Sequence, residues 1–198
     1  MLVCMSQISK KDRQELPALA PMLDMVEAGM GFVPNSMLTM AHWPELLGAF
    51  GGLGATILQT GDIEPELKQL IALVSSRASG CHYCQAHTSH SAHRAGAAEV
   101  KIAAAFEFEQ SPLFSDRERV ALRFGWHAAM QPNAIEPNDF AALKEFFSER
   151  EVVEIVAVVS LFGFLNRWND TMATELEAPA ADFADQALKQ TDWRRGKH

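Results

Sequence analysis

The sequence predicts an all-α protein, and three observations carry this. Apolar residues recur at helical rather than alternating spacing, caps and prolines open segment after segment, and no hairpin-type turn joins two alternating runs. Residues 1–20 are polar and then proline-spaced (Pro17, Pro21), which predicts an extended arm leading into a short helix over 22–29. Gly31-Phe-Val-Pro34-Asn35 interrupts it. Ser36 is placed to cap a short helix reaching Ala41. Pro44 suits the first turn of a helix that crosses the glycine-rich stretch 48–54 and ends near Gln59. Asp62-Ile-Glu-Pro65-Glu66 places a cap, a first-turn proline and acids together, so a helix over 65–78 is expected. The next should span 81–95, opened by Ser79-Gly80 and closed by Gly96. Further helices are expected over 98–106, 115–130, 137–147 and 149–168, with a last one over 181–190.

One internal echo stands out. Gln69-Leu-Ile-Ala-Leu-Val-Ser75 aligns without gaps on Glu154-Ile-Val-Ala-Val-Val-Ser160, an offset of 85. Carried on, the offset sets Cys81 opposite Asn166 and Cys84 opposite Asn169. Either two buried helices share a few residue types, or a duplication made a pair of long core helices with Glu154 and Asn166 near the cysteines.

Composition narrows the function. With 198 residues and 48% hydrophobic content the chain can bury a large core. A net charge of −8 argues against nucleic acid and anionic membranes, and the basic cluster Arg194-Arg195-Gly-Lys197-His198 reads as a solvated tail. The apolar run 155–165 is too short to span a bilayer. The start lacks an export signal, Cys4 is a poor lipidation candidate, and a cytoplasmic location is expected. Three cysteines do not make a disulfide framework.

The chemistry concentrates in Cys81-His-Tyr-Cys84-Gln-Ala-His87-Thr-Ser-His90-Ser-Ala-His93. Both cysteines fall in a first helical turn, where free amide hydrogens and the dipole favour thiolate. Each three-residue step turns a helix by about 300°, so Cys81, Cys84 and His87 share a broad face while His93 drifts to the far side. A disulfide between the cysteines is easy to form, and His87 can exchange a proton with Cys84. This is the layout of a redox dithiol. A metal-binding helix using Cys81, Cys84, His87 and His90 is the alternative, although consecutive turns of one helix close a tetrahedron poorly. No bound cofactor or metal is expected. Arg77 could steady a thiolate, and Tyr83 reads as a packing residue whose hydroxyl finds one partner.

The stretch Glu66-Leu-Lys-Gln-Leu-Ile-Ala-Leu-Val-Ser-Ser-Arg77-Ala-Ser-Gly-Cys81-His-Tyr-Cys84, with His87 and Gly96, resembles the AhpD-like and carboxymuconolactone decarboxylase superfamily. Phe162-Gly-Phe-Leu-Asn166-Arg167-Trp-Asn-Asp170 is similar to a segment of its peroxidase-related members. The resemblance implies a single helical domain over 1–198 with a motif-bearing core at about 40–176 and an N-terminal arm over 1–20. It also implies a homo-oligomer, trimer or hexamer, and a thiol-dependent peroxidase that reduces a small hydroperoxide and is recycled by a cellular dithiol. In that scheme Cys84 attacks, Cys81 resolves, and a glutamate and a histidine relay the proton. The family's relay positions hold Gln69 and Thr88 here, so His87 is expected to take the histidine role with Glu66 or Glu154 as its carboxylate. A non-redox decarboxylase or isomerase of the same superfamily would not need the dithiol. A redox-sensing oligomer would form and break the disulfide without turnover.

Overall fold

The computed structural model describes residues 6–196, so Cys4, Lys197 and His198 lie outside the described residues. The chain forms α1 (Ala20–Met30), α2 (Asn35–Met40), α3 (Pro44–Gln59), α4 (Pro65–Ala78) and α5 (His82–Arg94). It continues as α6 (Glu99–Ala103), α7 (Asp116–Ala129), α8 (Pro137–Lys144), α9 (Glu149–Met172) and α10 (Ala178–Ala187). No strand occurs among the described residues. Pro at the first turn starts α3, α4 and α8, while Ser115 and Ser148 open α7 and α9 with reciprocal capping boxes to Glu118 and Glu151.

Helix α4 is the centre. Leu70, Ile71, Ala72, Leu73 and Val74 are all fully buried, so every side of it meets another element. It packs on α5, α7 and α9 and touches α3. Burying each Leu, Ile or Val there contributes about 1.5–3 kcal/mol. The two long helices that share the 85-residue echo, α4 and α9, lie against each other. A smaller cluster under the N-terminal segment joins Leu16, Leu23, Met37, Met40 and Leu47.

Several local expectations change. The arm is not extended throughout: Arg13–Glu15 and Pro17–Leu19 form single 3₁₀ turns, with Asp12 capping the first and Leu16 buried between them. Ser36 lies inside α2, whose cap position is Pro34, because the helix starts two residues earlier. Asp62 pairs with Arg150 instead of capping α4, whose cap position is Glu64. Helix α9 continues one turn past Trp168 and ends at Ala173, a non-glycine residue at φ 49°. That left-handed turn, unusual for alanine, sends residues 174–177 back across α5.

Glu154 holds the turn between α3 and α4. Its carboxylate accepts the amides of Asp62 (2.9 Å) and Ile63 (3.1 Å) and pairs with Lys68 at 3.4 Å. The Lys68 ammonium, 2% exposed, also donates to the Ile57 carbonyl at 2.9 Å and to that of Thr60. A buried lysine is tolerable because acceptors surround it.

Candidate active site

The thiols sit where α4 hands over to α5. After Ser79, Gly80 adopts φ 74°, a left-handed turn that costs glycine nothing, and the chain re-enters helix at once. Cys81 is itself the N-cap, with its Sγ accepting the Cys84 amide at 3.5 Å. A thiol therefore stands where Ser or Asp usually caps a helix; Ser79 and Gly80 belong to the end of α4.

The two cysteines face different surroundings. Cys84 borders a cavity of about 350 Å³ walled largely by apolar side chains from α1, α2, α3 and α9, among them Met22, Met25, Met37, Phe50, Leu58, Leu161 and Phe162. Gln69, Tyr83, His87, Thr88, Arg94 and Asn169 are among its polar lining residues. Cys81 is fully buried and does not border it. The Asn169 side-chain amide donates to Cys84 Sγ at 3.4 Å. Hydrogen bonding to Cys84, burial and nearby negative charge all push the Cys81 thiol well up, so Cys81 keeps its proton.

His87 is fixed by a carboxylate from far along the chain. Its Nε2 lies 2.6 Å from Glu177 Oε2, and its ring stacks on Tyr83 with centroids 4.2 Å apart. The Tyr83 hydroxyl donates to Glu177 Oε1 at 3.0 Å, and the Asn35 amide donates to the same oxygen. Glu177 occupies the cap position of α10 yet makes no side-chain cap bond there. Its oxygens accept from Tyr83 and the Asn35 amide and lie against His87 Nε2. Burial pushes its carboxyl up, but the charge and hydrogen bond of His87 and the Asn35 amide more than offset this, leaving it below the ordinary value. Burial and the Glu177 charge push the Tyr83 hydroxyl well up, so it remains a donor.

The structure thus brings Cys84, His87 and Gln69 to one cavity, with Cys81 directly behind. It places Glu66 and Glu154 elsewhere. Glu66 bonds Lys101 at 3.0 Å, beside Glu118, and Glu154 serves the turn before α4. Both are spent on local cations and amides, so neither is the partner of His87. Asn169 and not Asn166 reaches the thiols, as the 85-residue offset sets it opposite Cys84. Arg77 pairs with Asp192, and Thr88 bonds back to the Cys84 carbonyl at 2.7 Å. His90 packs among Phe32 and Phe183, and burial lowers its pKa. Among the described residues, no three His, Cys, Asp or Glu side chains are grouped as a metal ion requires. Sequence reasoning missed Glu177. Glu177-Ala-Pro179 reads only as a helix start, and nothing local announces a partner 90 residues away.

Comparison with known proteins supports the helical fold. Residues 44–125 match the Carboxymuconolactone decarboxylase family. The uncharacterized protein YnjA of Escherichia coli (strain K12) is 29% identical over 111 residues, 56% of this chain and 60% of its own length. Solved structures that cover nearly the whole chain include two of note. The debrominase Bmp8, crystallised as a cysteine-to-alanine variant in complex with 2,3,4-tribromopyrrole, is 37% identical with a TM-score of 0.88, over 92% of this chain and 98% of that one. A peroxidase-related protein from Ralstonia eutropha JMP134 with an alkylhydroperoxidase AhpD core is 22% identical with a TM-score of 0.79, over 92% and 96%. That second likeness concerns the fold alone. Together with the all-helical architecture, these matches show that the chain belongs to the AhpD-like, carboxymuconolactone decarboxylase superfamily.

Proposed function

We propose that the protein is a dithiol-dependent reductase that removes a halogen from a small halogenated aromatic compound. The carrying observation is that an apolar cavity of about 350 Å³, large enough for a substituted aromatic ring, opens on Cys84 and not on Cys81. The likeness to a debrominase over nearly the full chain supports the same reading. Cys84, as thiolate, attacks the halogen, and the carbon–halogen bond breaks with its electron pair left on carbon. The ring carbon takes a proton, for which His87 with Glu177 behind it is the donor lining the cavity. Cys81 then attacks the Cys84 sulfur, halide leaves, and its thiol proton is released. The sum is aryl halide plus two thiols going to arene, hydrogen halide and a Cys81–Cys84 disulfide. An external thiol reductant reverses the disulfide.

The second reading is reduction of an organic hydroperoxide by the same dithiol, favoured by the His87–Glu177 pair, because a leaving alkoxide needs a proton donor. Turnover of a bromopyrrole and of cumene hydroperoxide, with dithiothreitol as reductant, separates the two. Dehalogenation that is lost in Cys84→Ser supports the first. Hydroperoxide turnover without dehalogenation replaces it with the second.

A further inference from the structure

Helix α4 turns one polar side chain towards the apolar cavity and gives it no partner. Leu70 to Val74 on that helix are fully buried, whereas Gln69 is half-buried and lines the cavity that Cys84 and His87 also line. Other polar groups of the lining are engaged. Tyr83 and His87 bond Glu177, Thr88 bonds the Cys84 carbonyl, and Asn169 Nδ2 bonds Cys84 Sγ. Arg94 donates to the Ala28 and Gly29 carbonyls. Lys68, one residue before Gln69, is enclosed by the carbonyls of Ile57 and Thr60 and by Glu154. The Gln69 side chain makes no hydrogen bond to any described residue.

We propose that Gln69 reads the polar edge of the substrate, and that the substrate is a halogenated ring with its own N–H or O–H, an azole or a phenol, and not a plain halogenated hydrocarbon. The inference rests on the dehalogenase reading above. A primary amide presents one acceptor oxygen and two N–H donors. A ring that fills the cavity displaces the water these groups would otherwise hold, and a hydrocarbon offers nothing in exchange. A ring N–H or O–H donates to Gln69 Oε1, and a phenol oxygen also accepts from Nε2. A site built to bond such a group rejects analogues that lack it, because its own polar group is then left unpaired. The remaining wall, with Met22, Phe50, Leu58 and Phe162, holds the ring and its halogens by apolar contact.

Neutrality matters as much as the bond. A glutamate in place of Gln69 would accept the same N–H, but its negative charge in the cavity of Cys84 would oppose formation of the thiolate. The amide reads the heteroatom and leaves the nucleophile undisturbed. Because Gln69 stands on α4 and Cys84 on α5, a ring held by its heteroatom also presents a fixed edge to the sulfur.

The test uses the full chain carrying Cys84→Ser, which removes the attacking thiol so that binding is read without reaction. Titration calorimetry compares a bromopyrrole with its N-methyl counterpart, and a bromophenol with its methyl ether. In one pair or the other, methylation should weaken binding about tenfold, the worth of one neutral hydrogen bond, and the pair that responds identifies the ring as azole or phenol. The discrimination should vanish in Gln69→Leu and persist in Gln69→Glu, which keeps an acceptor. A steric effect of the methyl group would survive in Gln69→Leu, because leucine has about the same bulk. Equal binding within both pairs, discrimination that survives Gln69→Leu, or its loss in Gln69→Glu overturns the role of Gln69 and leaves dehalogenation by the wild type standing. Failure of the wild type to release bromide from any of these ligands overturns the dehalogenase reading, and the substrate class inferred here falls with it.

Discussion

Asn169 donates its side-chain amide to Cys84 Sγ at 3.4 Å across a separation of 85 residues, the same offset that superposes residues 69–75 on 154–160. The pairing places the donor end of a neutral amide against the sulfur that must carry charge. A hydrogen bond to a charged acceptor contributes about 1.5–3 kcal/mol, so Asn169→Ala is expected to slow alkylation of Cys84 by iodoacetamide about tenfold at neutral pH. Because Asn169 Oδ1 has no partner among the described residues, the thermal midpoint should barely move. An unchanged alkylation rate would remove Asn169 from the site.

The unequal exposure of the two thiols to the apolar cavity predicts an order of events in the proposed reaction. With Cys81→Ser, one equivalent of electrophile should still be consumed, leaving Cys84 as a trapped sulfenyl species or adduct detectable by mass spectrometry. With Cys84→Ser, nothing should be consumed. The reverse pattern would exchange the roles of the two cysteines.

His87→Ala is expected to slow turnover about 100-fold, the usual size of a lost general acid or base, with helix content retained. Glu177→Gln should act in the same direction and also change the acid profile of stability. The native Glu177 carboxyl lies below its ordinary value, so in mildly acidic solution the unfolded chain binds the extra proton. Its stabilisation is complete above the ordinary carboxylate range and is lost as pH falls through the lower native value. The difference in melting temperature between wild type and Glu177→Gln should therefore be largest at pH 7 and shrink towards pH 3. A constant difference would mean that Glu177 is not ionised in the native protein.

Gly61 and Gly52 should respond oppositely to alanine. At Gly61, φ is 98° and an added Cβ would lie 2.3 Å from Glu154 Oε2, so Gly61→Ala strains the turn and displaces the carboxylate that holds Asp62 and Ile63. We expect a loss of about 3 kcal/mol in urea unfolding. Gly52 lies exposed within α3 with open space around it, and Gly52→Ala should stabilise by about 0.5–1 kcal/mol.

The helices were legible because their signals are local. Pro44, Pro65 and Pro137 open helices where a first-turn proline should, and Ser115 and Ser148 cap as their spacing to Glu118 and Glu151 requires. The cysteine corner was legible for the same reason, although Cys81 does the capping that Ser79 and Gly80 were expected to do. What stayed hidden depends on tertiary contact. Glu66 and Glu154 looked available because a sequence shows a carboxylate but not the cation or amides that occupy it. Glu177 stood outside the expected last helix over 181–190, which in fact begins at Ala178, and only folding brings it to His87. Asn169 was half visible, through an internal echo that gave an address without a contact.

Glu177 reaches the site on the short return segment after α9, beyond the stretch 44–125 that matches the family, whereas Cys81, Cys84 and His87 lie inside that stretch. The two thiols and the carboxylate facing His87 therefore lie on separate lengths of chain, one inside the family match and one beyond it. Descent can conserve the thiol helix as common stock while a few substitutions in residues 173–177 change how His87 is charged and aimed. Divergence of chemistry within such a lineage would then register far from the cysteines, at positions that a search for altered catalytic motifs would pass over.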